Sequence, residues 1–158
     1  MNKTVIISPY SQKLRNGKTP NPKDYPHWKE VVRQLNDLKF NTIQIGVYGE
    51  EPIGCHQFHQ NLSLDQLKIT LDSAITWASV DNFFHHFAAL HKKPGVAIFG
   101  KSDPTIFGHP QNINLLRDRI FLRAQQFDIW ETEEFNKDAF VLPPAVVQSI
   151  IVIASTQN

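Results

Sequence analysis

Short β-branched runs alternate with amphipathic stretches of helical length along this chain, and that alternation constrains the fold more than any other feature. "TVIIS" (4–8) reads as a buried strand, "YPHWKEVVRQLNDLK" (25–39) as a helix, and "NTIQIGV" (41–47) as a second strand. Trp28, Val31, Val32 and Leu35 recur at helical spacing and form the inner stripe of that helix. "SLDQLKITLDSA" (63–74) follows as a helix capped by Ser63, then strand "ITWASV" (75–80), helix "DNFFHHFAALHK" (81–92) and strand "GVAIFG" (95–100). Further on, "DRIFLR" (118–123) is read as a last strand, "ETEEFNKDAF" (131–140) as a short helix, and "PPAVVQSIIVIAST" (143–156) as a closing helix begun by Pro143 and Pro144. Strand-helix-strand succession with little linker predicts an α/β, three-layer domain with a mostly parallel sheet. Ligands of such sheets bind outside the carboxyl ends of the strands.

With 158 residues, 41% of them hydrophobic and 20% charged, the chain suits one domain spanning 1–158. A formal net charge of +1 supplies no global field for nucleic acid or an anionic membrane, so any anion site must be local. Cys55 is the single cysteine, which excludes an internal disulfide and predicts a reducing, cytoplasmic setting. The apolar run near the N-terminus is too short for a signal peptide, and "AVVQSIIVIA" breaks at Gln148 and Ser149, short of the roughly 20 residues that span a bilayer. Membrane insertion is therefore not expected.

Three polar constellations fall at predicted strand ends. Residues 8–23, "SPYSQKLRNGKTPNPK", contain no acidic residue and bring Lys13, Arg15, Lys18 and Lys23 together with the Ser8, Ser11 and Thr19 hydroxyls. A strand-to-helix turn there would aim backbone N–H groups and cations at a phosphate; a solvated basic loop is the plainer reading, and its unusual length favours function. Asp81, Asn82 and His86 form the second group. Asn82 and His86, four apart, share a helix face, whereas His85 points about 100° away and Phe83, Phe84 and Phe87 turn toward the core. Packing residues of a half-buried helix would look the same. "GKSDP" (100–104) is the third, where Lys101, Ser102 and Asp103 either bind a ligand or cap a turn after Gly100.

Other chemistries have less support. Cys55, His56 and His59 make a partial zinc set without a fourth ligand at a recognisable spacing, so no metal site is assigned. Neither G-x-S-x-G, G-x-G-x-x-G nor a Walker loop occurs. Arg117, Arg119 and Arg123 offer a weak nucleic-acid reading and serve equally as the solvent face of an edge strand.

"SVDNFFHHFAALHKKPGVAIFGKSDP" (79–104) resembles the D-x-G-x-x-H-x-A…P-x-x-x-x-F-G-x-[ST]-D-P signature of the heptosyltransferase-like glycosyltransferases of family 9. Asp81, His86, Ala88, Pro94, Phe99, Gly100, Ser102, Asp103 and Pro104 fall on it, and "KDYPHW" (23–28) is similar to that family's K-x-W-P element. The resemblance implies a Rossmann-like domain corresponding to the C-terminal half of a GT-B fold. It further implies an inverting, metal-independent transfer from a nucleotide-diphosphate sugar, with no other cofactor. Lys23, Ser8, Ser11, Asn82, His86, Lys101, Ser102 and Asp103 would bind the donor, and Asp81 would orient the sugar near its reacting carbon. "GVYGEE" (46–51) resembles the segment whose glutamate binds the ribose, with Glu51 the nearer candidate and Glu50 the fallback. This chain departs from the family at Asn82-Phe83, which replaces a Thr-Gly pair, and in residues 50–62, which are too short for a helix. The acceptor-binding half is not included, so a homo-oligomer or a separate acceptor-binding subunit is expected. A non-catalytic nucleotide or nucleotide-sugar binding module is the alternative.

Overall fold

Val5, Ile6 and Ile7 are fully buried because the strand that carries them, β1 (Thr4–Ser8), lies mid-sheet and is covered on both faces. Such strands read as continuous apolar runs rather than alternating ones. The computed structural model describes residues 2–157; Met1 and Asn158, the ends of the expected domain, lie outside them. β2 (Asn41–Gly46) and β4 (Thr76–Val80) pair in parallel with β1, while β3 (Gln57–Gln60) extends the sheet beyond β2, and β5 (Val96–Phe99) and β6 (Ile113–Leu116) extend it beyond β4. The order is β3-β2-β1-β4-β5-β6, all parallel, which is the Rossmann-like arrangement expected.

Two apolar layers sandwich this sheet. On one face α1 (Trp28–Asp37) contributes Trp28, Val31, Val32 and Leu35, and α5 (Pro143–Gln157) contributes Val146, Val147 and Ile150. The other face packs Ile43, Trp77 and Phe99 against α2 (Leu64–Ser73) and α3 (Phe83–Leu90). α2 starts as expected at Ser63, whose hydroxyl accepts from Gln66 N while the Gln66 side chain accepts from Ser63 N. At Gly95 a Cβ would stand 2.2 Å from the buried Trp77 ring, so the β5 entry admits no side chain.

Several segments differ from the sequence reading. α1 begins at Trp28 rather than residue 25, because the Tyr25 ring packs in the core with its hydroxyl donating to Val141 O at 2.9 Å. β3 arises inside the stretch too short for a helix. Buried Gln44 holds its approach by donating to Glu51 O and accepting from Ile53 N, so a tethered loop replaces the helical crossover. The last strand is residues 113–116 and not 118–123, since Asp118 accepts from Ile120 N and turns that segment into a 3-10 turn. Residues 131–140 hold 3-10 turns at Trp130–Thr132 and Lys137–Ala139 in place of a helix. Short α4 (Pro104–Phe107) starts at Asp103. The Lys137–Gln157 segment is, against expectation, 21 residues long and apolar enough by length and composition to cross a bilayer; its inner face is the α5 contribution to the core.

Candidate functional site

β1 and β4 are neighbours whose chain connections leave to opposite sides, and at such a switch point the strand ends diverge and open a crevice. A cleft of about 1070 Å³ lies there, lined among others by Ser8, Ser11, Lys23, Asp81, Asn82 and His86. The first two constellations therefore meet on one edge. Lys13 and Arg15 of the 8–23 loop also line the cleft, whereas Lys18 turns away to pair with Glu134 at 2.6 Å.

Asp81 is the electrostatic hub. Its Oδ2 lies 3.3 Å from Lys23 Nζ and its Oδ1 lies 3.1 Å from Nε2 of His85. Burial pushes its pKa up, but the His85 hydrogen bond, the Lys23 charge and the Ser102 hydroxyl outweigh it and hold the carboxyl below its ordinary value. Asp81 is thus a carboxylate at neutral pH. Lys23 in turn stands over the Trp130 ring at 4.9 Å, an attraction that fixes the ammonium at the mouth of the cleft. Burial, then the charges of His85 and His109, lower the His86 pKa and favour its neutral imidazole.

Asn82 caps α3. Its Oδ1 accepts from Phe84 N at 2.9 Å, and its Nδ2 donates to Ser8 Oγ at 3.0 Å and to Tyr10 O at 3.2 Å. The amide thus ties the end of β1 to the head of α3, with Ser8 as its partner. Ser11 donates its hydroxyl to Asp81 O at 3.1 Å and its backbone N–H to Asp24 Oδ1 at 2.8 Å. Burial raises the Asp24 pKa to about 7.

Of the two candidate glutamates, Glu50 lines the cleft, and Glu51 is exposed away from it. The reason is a tight turn. Glu50 Oε1 folds back to accept from Val47 N at 2.6 Å, while Glu51 gives its carbonyl to Gln44 and Tyr10. Burial raises the Glu50 pKa. The third constellation splits: Ser102 is buried behind Asp81, Lys101 pairs with Glu133 at 3.2 Å, and Asp103 caps α4 while pairing with Arg119 at 2.8 Å. None of these three lines the cleft.

Sequence reasoning turned His85 away from the site and had no reading of His109 or Trp130. The Asp81/His85 contact had a signal in its four-residue spacing, the same spacing that pairs side chains along a helix; His109 and Trp130 had none. Phe83, assigned to the core, is 62% exposed beside the cleft. Cys55, His56 and His59 do not converge: the thiol packs at the core edge and is pushed up to about 12 by burial, His56 meets Thr42, and His59 meets Gln57. All three arginines of the nucleic-acid reading bind their own chain, Arg117 to Asp138 O, Arg119 to Asp103 and Arg123 to Asp128 O and Ile129 O.

No protein-family model matches the sequence, and no curated protein matches it. Solved structures do. The ADP-heptose lipopolysaccharide heptosyltransferase II of E. coli superposes with a TM-score of 0.71 at 16% identity, over 98% of this chain and 47% of that one. A family 9 glycosyltransferase from Veillonella parvula gives 0.70 at 13% identity, over 98% and 46%. The dodecameric, iron-containing heptosyltransferase TibC of enterotoxigenic E. coli, solved with ADP-D-beta-D-heptose, gives 0.69 at 19% identity, over 100% and 47%. The chain spans less than half the length of these structures, and across that span it has the α/β, Rossmann-like fold found in heptosyltransferases and family 9 glycosyltransferases.

Proposed function

We propose that the cleft above β1 and β4 binds a nucleotide-diphosphate sugar and that the chain is the donor domain of a metal-independent, inverting glycosyltransferase. The observation that carries the reading is the convergence of Lys23, Asp81 and His86 at the switch point of this sheet. Lys23, already 3.3 Å from Asp81, would move its ammonium onto the diphosphate, and His86 would donate a hydrogen bond to it. Both act on charge that grows as the sugar leaves, which lowers the barrier. Asp81 would accept from a sugar hydroxyl, and Glu50 rather than Glu51 would accept from the ribose hydroxyls. Ser8, Ser11 and Asn82 shape the wall, Ser102 supports Asp81, and Lys101 and Asp103 hold the neighbouring loop. Acceptor binding would fall to a second copy, a separate subunit or a further domain.

The solved relative that carries ADP-heptose makes adenosine diphosphate and ADP-sugars the first ligands to test. A nucleoside diphosphate at a hundred times its dissociation constant is expected to stabilise the chain by about 2.7 kcal/mol in a thermal-shift titration. No shift with ADP, UDP or GDP, alone or as sugar conjugates, would remove the reading.

A second reading, a binding module without transfer, is favoured by one observation. Asp81 already answers Lys23, His85 and Ser102, and Phe83 crowds the head of α3. Nucleotide-sugar binding without sugar release, in the presence of every candidate partner chain, would select it.

A further inference from the structure

We infer that His85, His86 and His109 form a site for one divalent transition-metal ion of the zinc class, joining the head of α3 to the loop that follows α4. One ring nitrogen from each of the three lies within 4.8 Å of the others. The rings themselves are close, with centroids 3.9 Å apart for His85 and His86 and 4.9 Å for His86 and His109. The cluster shares His86 with the proposed donor cleft and is backed by its Asp81, but its test reads metal binding with no nucleotide present, so its failure is distinguishable from failure of that reading.

His85 supplies the independent sign of a ligand. Its side chain is fully buried, Nε2 lies 3.1 Å from Asp81 Oδ1, and Nδ1 has no partner. With Nε2 turned to the Asp81 oxygen, Nδ1 is the ring nitrogen left open to a ligand. A buried polar nitrogen without a partner loses its hydration and gains nothing in exchange. A metal ion on Nδ1 would remove that penalty. Metal-bound imidazoles commonly donate their second nitrogen to a carboxylate, which fixes the tautomer and raises ligand basicity, and the Asp81–His85 pair already has that form.

The other two ligands are placed to follow. His86 Nδ1 and His109 Nε2 are 2.7 Å apart, within hydrogen-bond distance. Two nitrogens on a tetrahedral ion at about 2.0–2.1 Å stand about 3.3 Å apart, so loading requires these rings to part by about 0.6 Å and the hydrogen between them to move to the outer nitrogen of its own ring. Both rings reach solvent and can turn. Three imidazoles without a carboxylate or thiolate suit Zn²⁺, Co²⁺, Ni²⁺ or Cu²⁺ and discriminate against Mg²⁺ and Ca²⁺. The fourth position would hold water.

The test uses the full chain, stripped with a chelator and titrated with Co²⁺ by visible absorption and with Zn²⁺ by calorimetry. One equivalent is expected to bind, with the absorption bands of a tetrahedral Co²⁺ site, and His86→Gln or His109→Gln should each weaken binding tenfold or more. His59→Gln should leave it unchanged. Thermal melts of the stripped proteins establish that the variants fold; if one does not, the other decides. Absence of saturable binding by the unaltered chain at micromolar metal would overturn the proposal, as would binding that persists undiminished in His86→Gln and His109→Gln.

Discussion

Lys23 Nζ lies 3.3 Å from Oδ2 of Asp81, joining the loop that leaves β1 to the residue that follows β4. The two sit on adjacent strand ends, 58 positions apart in sequence and on the same cleft, because β4 rather than β2 flanks β1 on that side. Asp81 holds the ammonium, and on the proposed reading an arriving diphosphate would compete for it.

Lys23→Met tests this arrangement, since it keeps an unbranched side chain of similar length and removes the charge that stands over Trp130 and beside Asp81. Loss of one charge-assisted contact is expected to cost about 1.5–3 kcal/mol of affinity for a nucleoside diphosphate, roughly ten- to a hundredfold, with the metal-stripped protein in the calorimeter. Unchanged affinity would place the phosphates elsewhere.

Asp24 predicts a pH dependence. Its folded-state pKa is raised by burial from 3.8 to about 7, so protonated Asp24 stabilises the fold fully below pH 3.8, and this contribution is lost as pH rises through about 7. Asp24→Asn keeps an oxygen for the Ser11 N–H and removes the ionisation. At pH 8 the variant is expected to exceed the parent by on the order of 2 kcal/mol in denaturant melts, with the gap closing toward pH 4. A constant gap across that range would reject the assignment.

Gly95→Ala probes the sheet beneath the cleft. The new Cβ would lie 2.2 Å from a Trp77 ring that is fully buried and whose Nε1 donates to Lys93 O. Overpacking of this kind costs about 1–3 kcal/mol, and with neither partner free to yield the upper end is expected in urea unfolding. An unaffected midpoint would show that the ring can move.

Apolar side chains beside the cleft bear on assembly. Ile106 is 46% exposed and Phe127 is 82% exposed, while Phe107 is half-buried with its ring 5.5 Å from that of Phe127. Apolar groups at a polar rim mark partner surfaces. The purified chain is expected to self-associate or to bind a second protein here, and Ile106→Ser with Phe127→Ser should lower the mass seen by light scattering. A monomer at every concentration that transfers sugar unaided would contradict this.

Local chemistry was legible in the amino-acid sequence. The Trp28-Val31-Val32-Leu35 stripe, the Ser63 cap and the strands at 4–8, 41–46, 76–80 and 96–99 follow from periodicity and capping, which act within a few residues. So did the placing of residues 8–23 and 81–86 at one edge, because parallel strands bring their carboxyl ends together. Tertiary structure alone decided the rest. Strands β3 and β6 lie half-exposed at the two edges of the sheet and are defined by the neighbours they pair with, without the fully buried apolar run that marks β5. Glu50 rather than Glu51 meets the cleft because the Val47 N–H draws one of two adjacent carboxylates inward. Trp130 under Lys23 and His109 against His86 are contacts between distant segments, closed by the packing of the whole chain, and no local spacing encodes them.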